Sequence, residues 1–512
     1  MPAHVPLDAP HPPRHRATAA APGYTGHVVL ALQQGLVDAM EHVAPGRYDS
    51  YADLAPLLAD PAYDGSEFDA QADLLSAELH DGGIAARRVV GSLTVGQIDE
   101  ILTGIPPPHP APTAVALRDP GIAAFWRLDV RGRGDADALV ARLKTLYGKV
   151  VARAYRERLP AEPAAPQDDL FSPRQGYLER APLGIDARWA WQHGVEGACS
   201  SARPFKLVDL EQGWIEEHED LPRADVPPAV NDNRHGVVLT GPPRRVYLGH
   251  HGTAVLGVVA GADNDRGVIG AAPKAAVATI SHYKSADGET YHVAEAIYGA
   301  LTPGRTVLRP GDVLLVEVQR DELPTEVDEA DLIAIATAVQ IGVVVVEAAG
   351  NGRTDLGSWS PPEQPGSFPL RRESGAILVG AACPRLPHDR WRPSNFGDRV
   401  VCYGWGAGVV SAGYGDLNFS GTPLERRYTA RFGGTSAAAA IVAGAAMLLQ
   451  SAADADGGPL LDPAEMRARL ADPATGTPQG PHVPGAIGVM PDVRAVTQRL
   501  RRDRGNGSSK RA

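Results

Sequence analysis

The chain has 512 residues, 44% of them hydrophobic and 21% charged, with a formal net charge of -12 and three cysteines. Its length exceeds one average domain, and its composition is that of an ordinary globular chain rather than a fibrous or wholly disordered one. The acidic balance argues against a nucleic-acid partner, which needs clustered cations to displace counterions. The scattered Cys199, Cys383 and Cys402 do not make a disulfide framework.

Residues 1–25, rich in Pro, Ala and His, read as a disordered arm. The start lacks the continuous apolar core of a secretory leader, and no run approaches the roughly 18 apolar residues of a membrane span. A cytoplasmic address with no membrane partner is expected, with leaderless export as the alternative. Residues 26–159 read as an N-terminal α+β region. Within it, 124–130 alternates as a strand, 135–147 carries apolar residues at helical spacing behind Asp135, and 149–155 alternates again. The stretch 26–110 has no further assignment. Residues 160–175 form a Pro-rich linker.

From residue 176 the character changes. Short apolar runs at 206–210, 275–280, 312–319, 342–349 and 376–383 are interleaved with helical patterns such as 293–301 and 332–339. Continuous Val/Leu/Ile runs alternating with helices predict a parallel sheet buried on both faces, in an α/β domain over 176–500. Sites in such sheets gather at the carboxyl ends of the strands. Residues 501–512, rich in Arg, read as a flexible basic tail.

Four islands carry chemistry. Gly434-Thr435-Ser436 opens a run of small residues, placing a serine at a helix N-terminus where free N–H groups favour developing negative charge. Taken alone, Ser436 reads first as an N-cap, the commonest role of a serine before a helix. His251, followed by Gly252-Thr253, precedes a second small-residue helix and is preferred over its neighbour His250. Asp209 closes an apolar strand, where burial demands a partner such as an imidazole N–H, or a loop cap. Asn351 follows the strand 342–349 within Gly350-Asn351-Gly352, either as an ordinary turn or as a carboxamide donor at the strand mouth.

Together these islands resemble the subtilisin-like serine proteases: an Asp, then His-Gly-Thr, then a strand ending in Gly-Asn, then Gly-Thr-Ser. His218-Glu219-Asp220-Leu221, the segment 267–273 and Ser394-Asn395-Phe396-Gly397 add to the likeness, which spans about 176–499. Ala440 and Ile441 depart from the Pro and His usual in the serine helix. The resemblance implies a three-layer α/β/α fold with a mostly parallel central sheet, preceded by the smaller α+β domain. It implies a serine endopeptidase acting through an acyl-enzyme, with Asp209, His251 and Ser436 as triad and Asn351 in the oxyanion hole. Its partner is a protein or peptide substrate, and no cofactor is required.

Glu317, Gln319 and Glu347 fall near the specificity pocket that the resemblance implies, where they either select a basic side chain or pair with local Arg and backbone groups. Asp220 and Asn264 match positions that hold structural calcium in many members, although Arg266 lies in the same loop. The N-terminal region is expected to be an intramolecular inhibitor, a prodomain in its second half, or a docking module. A catalytically silent peptide-binding scaffold and a processing transpeptidase are the alternative functions. A nucleotide-binding reading fails for want of a glycine-rich phosphate loop.

Overall fold

The computed structural model describes residues 24–158 in part, and 175–509 apart from 201–203, 216, 223–245, 265, 284–291, 303–307, 363, 368 and 419–420. The expected arm over 1–23, most of the Pro-rich linker and the last three residues lie outside the described residues.

The N-terminal domain runs β1 (Tyr24–Leu32), α1 (Asp69–Asp81), β2 (Ala85–Arg88), β3 (Phe125–Asp129), α2 (Ala136–Leu146) and β4 (Val151–Arg158). Asp135 caps α2 by accepting from the N–H groups of Asp137 and Ala138 at 2.8 and 3.3 Å. The strands form one sheet in the order β2-β3-β1-β4, a β-α-β-β-α-β arrangement. Strand β1 lies in its interior, Val28 pairing with Leu128 on one side and Arg156 on the other. The β-α-β unit read over 122–155 is therefore incomplete without residues 24–32, and the region does not divide into a prodomain half and a separate module.

The larger domain is built on an eight-stranded sheet. Its strands are β5 (Leu207–Glu211), β6 (Val277–Ser281), β7 (Val313–Val316), β8 (Val344–Ala348), β9 (Ile377–Ala382), β10 (Cys402–Trp405), β13 (Gly476–Pro478) and β14 (Val489–Pro491). They lie in the order β13-β14-β10-β9-β8-β7-β5-β6, with only the β13–β14 pair antiparallel. Strands β11 (Val409–Ala412) and β12 (Tyr428–Phe432) form a separate antiparallel pair. The β5–β10 runs are the continuous apolar ones, as burial on both faces requires.

Alternation along the strands separates two layers. Val208, Leu210, Leu314, Val316 and Val345 pack toward α4 (Val293–Leu301) and α5 (Glu329–Ile341). Leu207, Val313, Leu315, Val344 and Val346 pack toward α3 (Val246–Ala260) and α6 (Gly434–Ala455). Helix α6 is long and apolar enough by composition to cross a membrane, with a mean hydropathy of 1.6, but that whole stretch is buried inside the fold. After α7 (Pro463–Leu470), α8 (Val493–Ser509) packs against α6. Helix α8 overturns the flexible tail expected from 501. Arg501 pairs with Asp456 at 2.8 Å, Asp503 with Arg469 at 2.7 Å, and Arg504 donates to the Pro459 carbonyl at 2.6 Å. The run thus continues the helix because Arg501 and Arg504 find acceptors in the segment between α6 and α7, and Asp503 finds a cation on α7.

The N-terminal sheet shares a core with α4 and α5. At that seam Tyr155 donates to Asp328 at 2.9 Å, Arg153 pairs with Glu329 at 2.7 Å, and Arg127 approaches His292 at 3.5 Å. Asp328 is also the N-cap of α5, accepting from the Ala330 N–H at 3.0 Å.

Candidate active site

Strands β5 and β7 run parallel with Asp209 opposite Leu315, so the next same-face pair is Glu211 and Glu317. The ladder extends to that point through the Glu317 N–H, which donates to the Leu210 carbonyl at 3.1 Å. Asp209, Glu211 and Glu317 share the face of Leu207, Val313 and Leu315, and so point into the α3/α6 layer at the carboxyl ends of the strands.

His251 lies in α3 with its ring buried, edge-on to Phe432 at a centroid distance of 5.4 Å. Its Nδ1 pairs with Glu211, not with Asp209. Asp209 is fully buried and instead accepts from the Trp214 indole N–H at 2.7 Å, its other oxygen having no partner. Burial first, then the neighbouring Glu211 charge, pushes the Asp209 carboxyl well above the usual range, against the pull of the Trp214 bond. The assignment of Asp209 as the partner of the imidazole is therefore corrected to Glu211. The strand runs two residues past Asp209, and the acid at its very end is the one α3 reaches.

Glycine explains how α3 comes so close. A Cβ at Gly252 would lie 2.4 Å from the Gly213 carbonyl oxygen and 2.8 Å from Trp214 Nε1, so only glycine lets the helix press on the loop after β5. Thr253 then accepts the Ile215 N–H at 2.8 Å and fixes that loop. His250 is set apart from this pairing: its Nδ1 accepts the Tyr414 N–H at 2.9 Å and its ring stacks on Tyr414.

Ser436 stands in the first turn of α6 and is 9% exposed. Gly434, at φ +81°, makes the turn into the helix with a conformation that an L side chain resists. The Thr435 N–H and hydroxyl donate to Asn351 Oδ1 at 3.0 and 3.1 Å, and the Gly350 N–H donates to the Thr435 hydroxyl at 3.1 Å. These bonds bring Asn351 to the helix N-terminus and fix which carboxamide atom is oxygen, since an N–H can only donate. The Asn351 Nδ2 donates to Gln319 at 3.2 Å. Asn395 ties down the Asn351 loop, accepting from the N–H groups of Gly352 and Thr354 at 3.0 and 2.9 Å. Among the described residues no hydrogen bond joins Ser436 Oγ to His251.

The three specificity candidates separate. Gln319 is in the site as the partner of Asn351. Glu347 is not: it shares the face of Val343 and Val345, on the α4/α5 side of the sheet, where it accepts the Glu326 N–H at 3.3 Å near the Arg399–Glu326 pair. Alternation along β8 turns it away from Asn351. Glu317 stays in the site, its carboxyl against the Ser436 hydroxyl, with neither oxygen completing a well-formed hydrogen bond.

The calcium candidates do not form a cage. Asp220 accepts the Val268 N–H at 2.6 Å through one oxygen while the other is buried without a partner, and burial raises this carboxyl to about 6. Asn264 turns its Nδ2 to the Glu219 carbonyl at 3.2 Å, and the Arg266 guanidinium lies 3.5 Å from Glu219. One orphan oxygen beside a guanidinium does not fit an ion that takes about six to eight oxygens. Among the described residues no three His, Cys, Asp or Glu side chains gather as ligands.

A subtilisin-like protease of Coccidioides posadasii is 37% identical over 143 residues, 28% of this chain and 30% of that protein's own length. Subtilisin DY of Bacillus licheniformis is 31% identical over 226 residues, 44% of this chain and 70% of that protein. A solved structure of proteases from Pseudoalteromonas arctica overlaps 66% of this chain and 99% of its own, at 22% identity and a TM-score of 0.44. The sequence profile of the subtilase family matches residues 210–489, more than half of the chain, and the protein belongs to that family.

Proposed function

We propose that this chain is a serine endopeptidase in which Ser436 is the nucleophile, His251 the general base and Glu211 the acid that orients it. The observation that carries this reading is the His251–Glu211 pair, buried where the strand ends meet the N-terminus of α6. Family membership supports the reaction class.

Ser436 Oγ attacks the carbonyl carbon of a peptide bond as its proton passes to His251 Nε2. Glu211 remains ionised, holds the Nδ1–H tautomer and stabilises the imidazolium. The charge that builds on the carbonyl oxygen meets the Ser436 N–H, which has no intrahelical acceptor, and the second N–H of Asn351 Nδ2. Gln319 occupies the first N–H of that carboxamide and so aims it. His251 then protonates the leaving amine, and water repeats the sequence on the acyl-enzyme.

The test is fluorophosphonate labelling of the full chain beside peptide hydrolysis. Wild type should label at Ser436 and release peptide products, and Ser436→Ala should do neither while keeping its circular dichroism. Labelling without hydrolysis would sink the endopeptidase reading, and transfer of the acyl group to an added amine in preference to water would make it a transpeptidase. The docked N-terminal domain, with its core shared with α4 and α5, is proposed as an intramolecular partner of the enzyme. A gel of wild type beside Ser436→Ala reads whether the enzyme cuts its own linker.

A further inference from the structure

Several buried acids among the described residues have a cation. Glu326 pairs with Arg399, Asp331 with Arg320 at 2.8 Å, Asp312 with Lys206 at 3.0 Å, and Glu157 with Arg127 at 2.5 Å. Others, such as Asp209 and Glu347, leave one oxygen without a partner, whereas Glu317, 4% exposed, has neither oxygen partnered. An unpaired buried carboxyl costs free energy, and far more when it is charged. Nothing in the packing of β7 requires it, since Leu315 fills the same face one step earlier. What does lie against it is the hydroxyl of Ser436.

We propose that Glu317 is a positioning residue for Ser436: as an uncharged acid it offers its unpartnered carbonyl oxygen to the neighbouring Ser436 hydroxyl, and the site is competent only while Glu317 keeps its proton. The inference rests on the reading of Ser436 as nucleophile. Ser436 makes no hydrogen bond to His251, so the hydroxyl must turn from Glu317 to His251 Nε2 before attack. In that step the Oγ–C bond forms, the hydroxyl proton moves to His251, and the carbonyl electron pair moves onto oxygen. Glu317 neither gains nor loses a proton.

The charge count explains why neutrality matters. The titratable groups facing Glu317 are Asp209 and Glu211 of β5, with His251 of α3 bound to Glu211, and across from it lies Ser436 of α6. One imidazolium balances one carboxylate. An ionised Glu317 would add a second negative charge beside the developing oxyanion, and would hold the serine hydroxyl more tightly as a charge-assisted acceptor. Burial, then the charges of Glu211 and Asp209, push the Glu317 carboxyl well above the usual range, against the Ser436 contact. That direction favours the neutral acid.

The experiment measures fluorophosphonate labelling of Ser436 and peptide hydrolysis against pH, in the full chain, for wild type, Glu317→Gln and Glu317→Ser. Wild type is expected to lose about tenfold in both rates per pH unit on its alkaline side. Both variants, uncharged at every pH, should stay level there and come within about tenfold of the wild-type optimum. A merely structural role would lower rates at all pH values without removing the alkaline fall. The proposal is overturned by an alkaline fall shared by wild type and variants, by no fall in wild type, or by folded variants slow at every pH. Glu317→Ser reads the same limb if Glu317→Gln does not fold. Absence of wild-type labelling at any pH would instead remove the nucleophile reading, a distinct failure.

Discussion

The two faces of the central sheet differ in how they surround buried acids. On the α4/α5 side, Glu347 and Glu326 lie beside Arg399, and Asp331 and Glu157 close on Arg320. On the α3/α6 side, Asp209, Glu211 and Glu317 lie together with one imidazole, which pairs with Glu211. The first arrangement sets cations and amides among its acids and serves packing, with one Glu347 oxygen left buried without a partner. The second leaves carboxyl oxygens without partners, an imbalance expected where a reaction rather than the fold sets the residue.

Substitutions that ask which acid belongs to which role break this comparison most sharply. Glu211→Gln should lower kcat by about 10⁴, because the amide no longer fixes the imidazole tautomer, read by steady-state peptide hydrolysis. An equal loss in Asp209→Asn would return the role to Asp209. On the paired face, Arg399→Met strands Glu326 beside Glu347 and should cost about 3–5 kcal/mol of stability. Urea unfolding measures that loss, and the rate of Ser436 labelling in the folded fraction should be unchanged. Gly252→Ala drives a methyl into the Gly213 carbonyl and should cost about 1–3 kcal/mol, with kcat falling further than KM changes because His251 is displaced from Glu211.

Asp209→Asn is the smallest expected effect, less than about tenfold in kcat since Trp214 can still donate to the amide oxygen. Its signature is pH-dependent stability. A carboxyl raised in the folded state contributes its full stability below the usual carboxylate range, and that contribution is lost as pH climbs through the folded value. Wild type should therefore lose stability relative to Asp209→Asn as pH rises from about 4, in paired thermal melts. A constant difference across pH would mean that Asp209 is ionised.

Much of the fold was legible because its signals are local. The apolar runs at 206–210, 275–280 and 376–383 became β5, β6 and β9 within a residue or two, and the helix expected at 293–301 is α4. The small-residue run after Ser436 became a wholly buried helix. What sequence could not weigh was reach. Asp209 and Glu211 are two residues apart on one face, and only the approach of α3 over Gly252 decides between them. A usable signal was present: Gly213 follows Glu211 by two, and that glycine loop is the one the histidine helix needs. Glu347 was misplaced for a related reason, since strand parity assigns a face only once the register with β7 is known. The helix over the expected tail depends on Asp456 and Asp503 finding arginines across the fold, which no local pattern records.

The central place of β1 in its sheet bears on the order in which the chain is made. Val28 meets Leu128 about a hundred residues later in the sequence, a closure whose entropic cost rises by only about 0.6 kcal/mol per doubling of loop length. Strand β1, the earliest among the described strands, therefore waits, edges unpaired, until β3 and β4 have followed. Once they have, the small domain is complete before any of the catalytic sheet exists. When α4 and α5 emerge, a finished apolar surface is already there to receive them. A deletion of residues 24–32 would thus register during synthesis, as aggregation of the nascent chain, well before any loss of turnover in the finished protein.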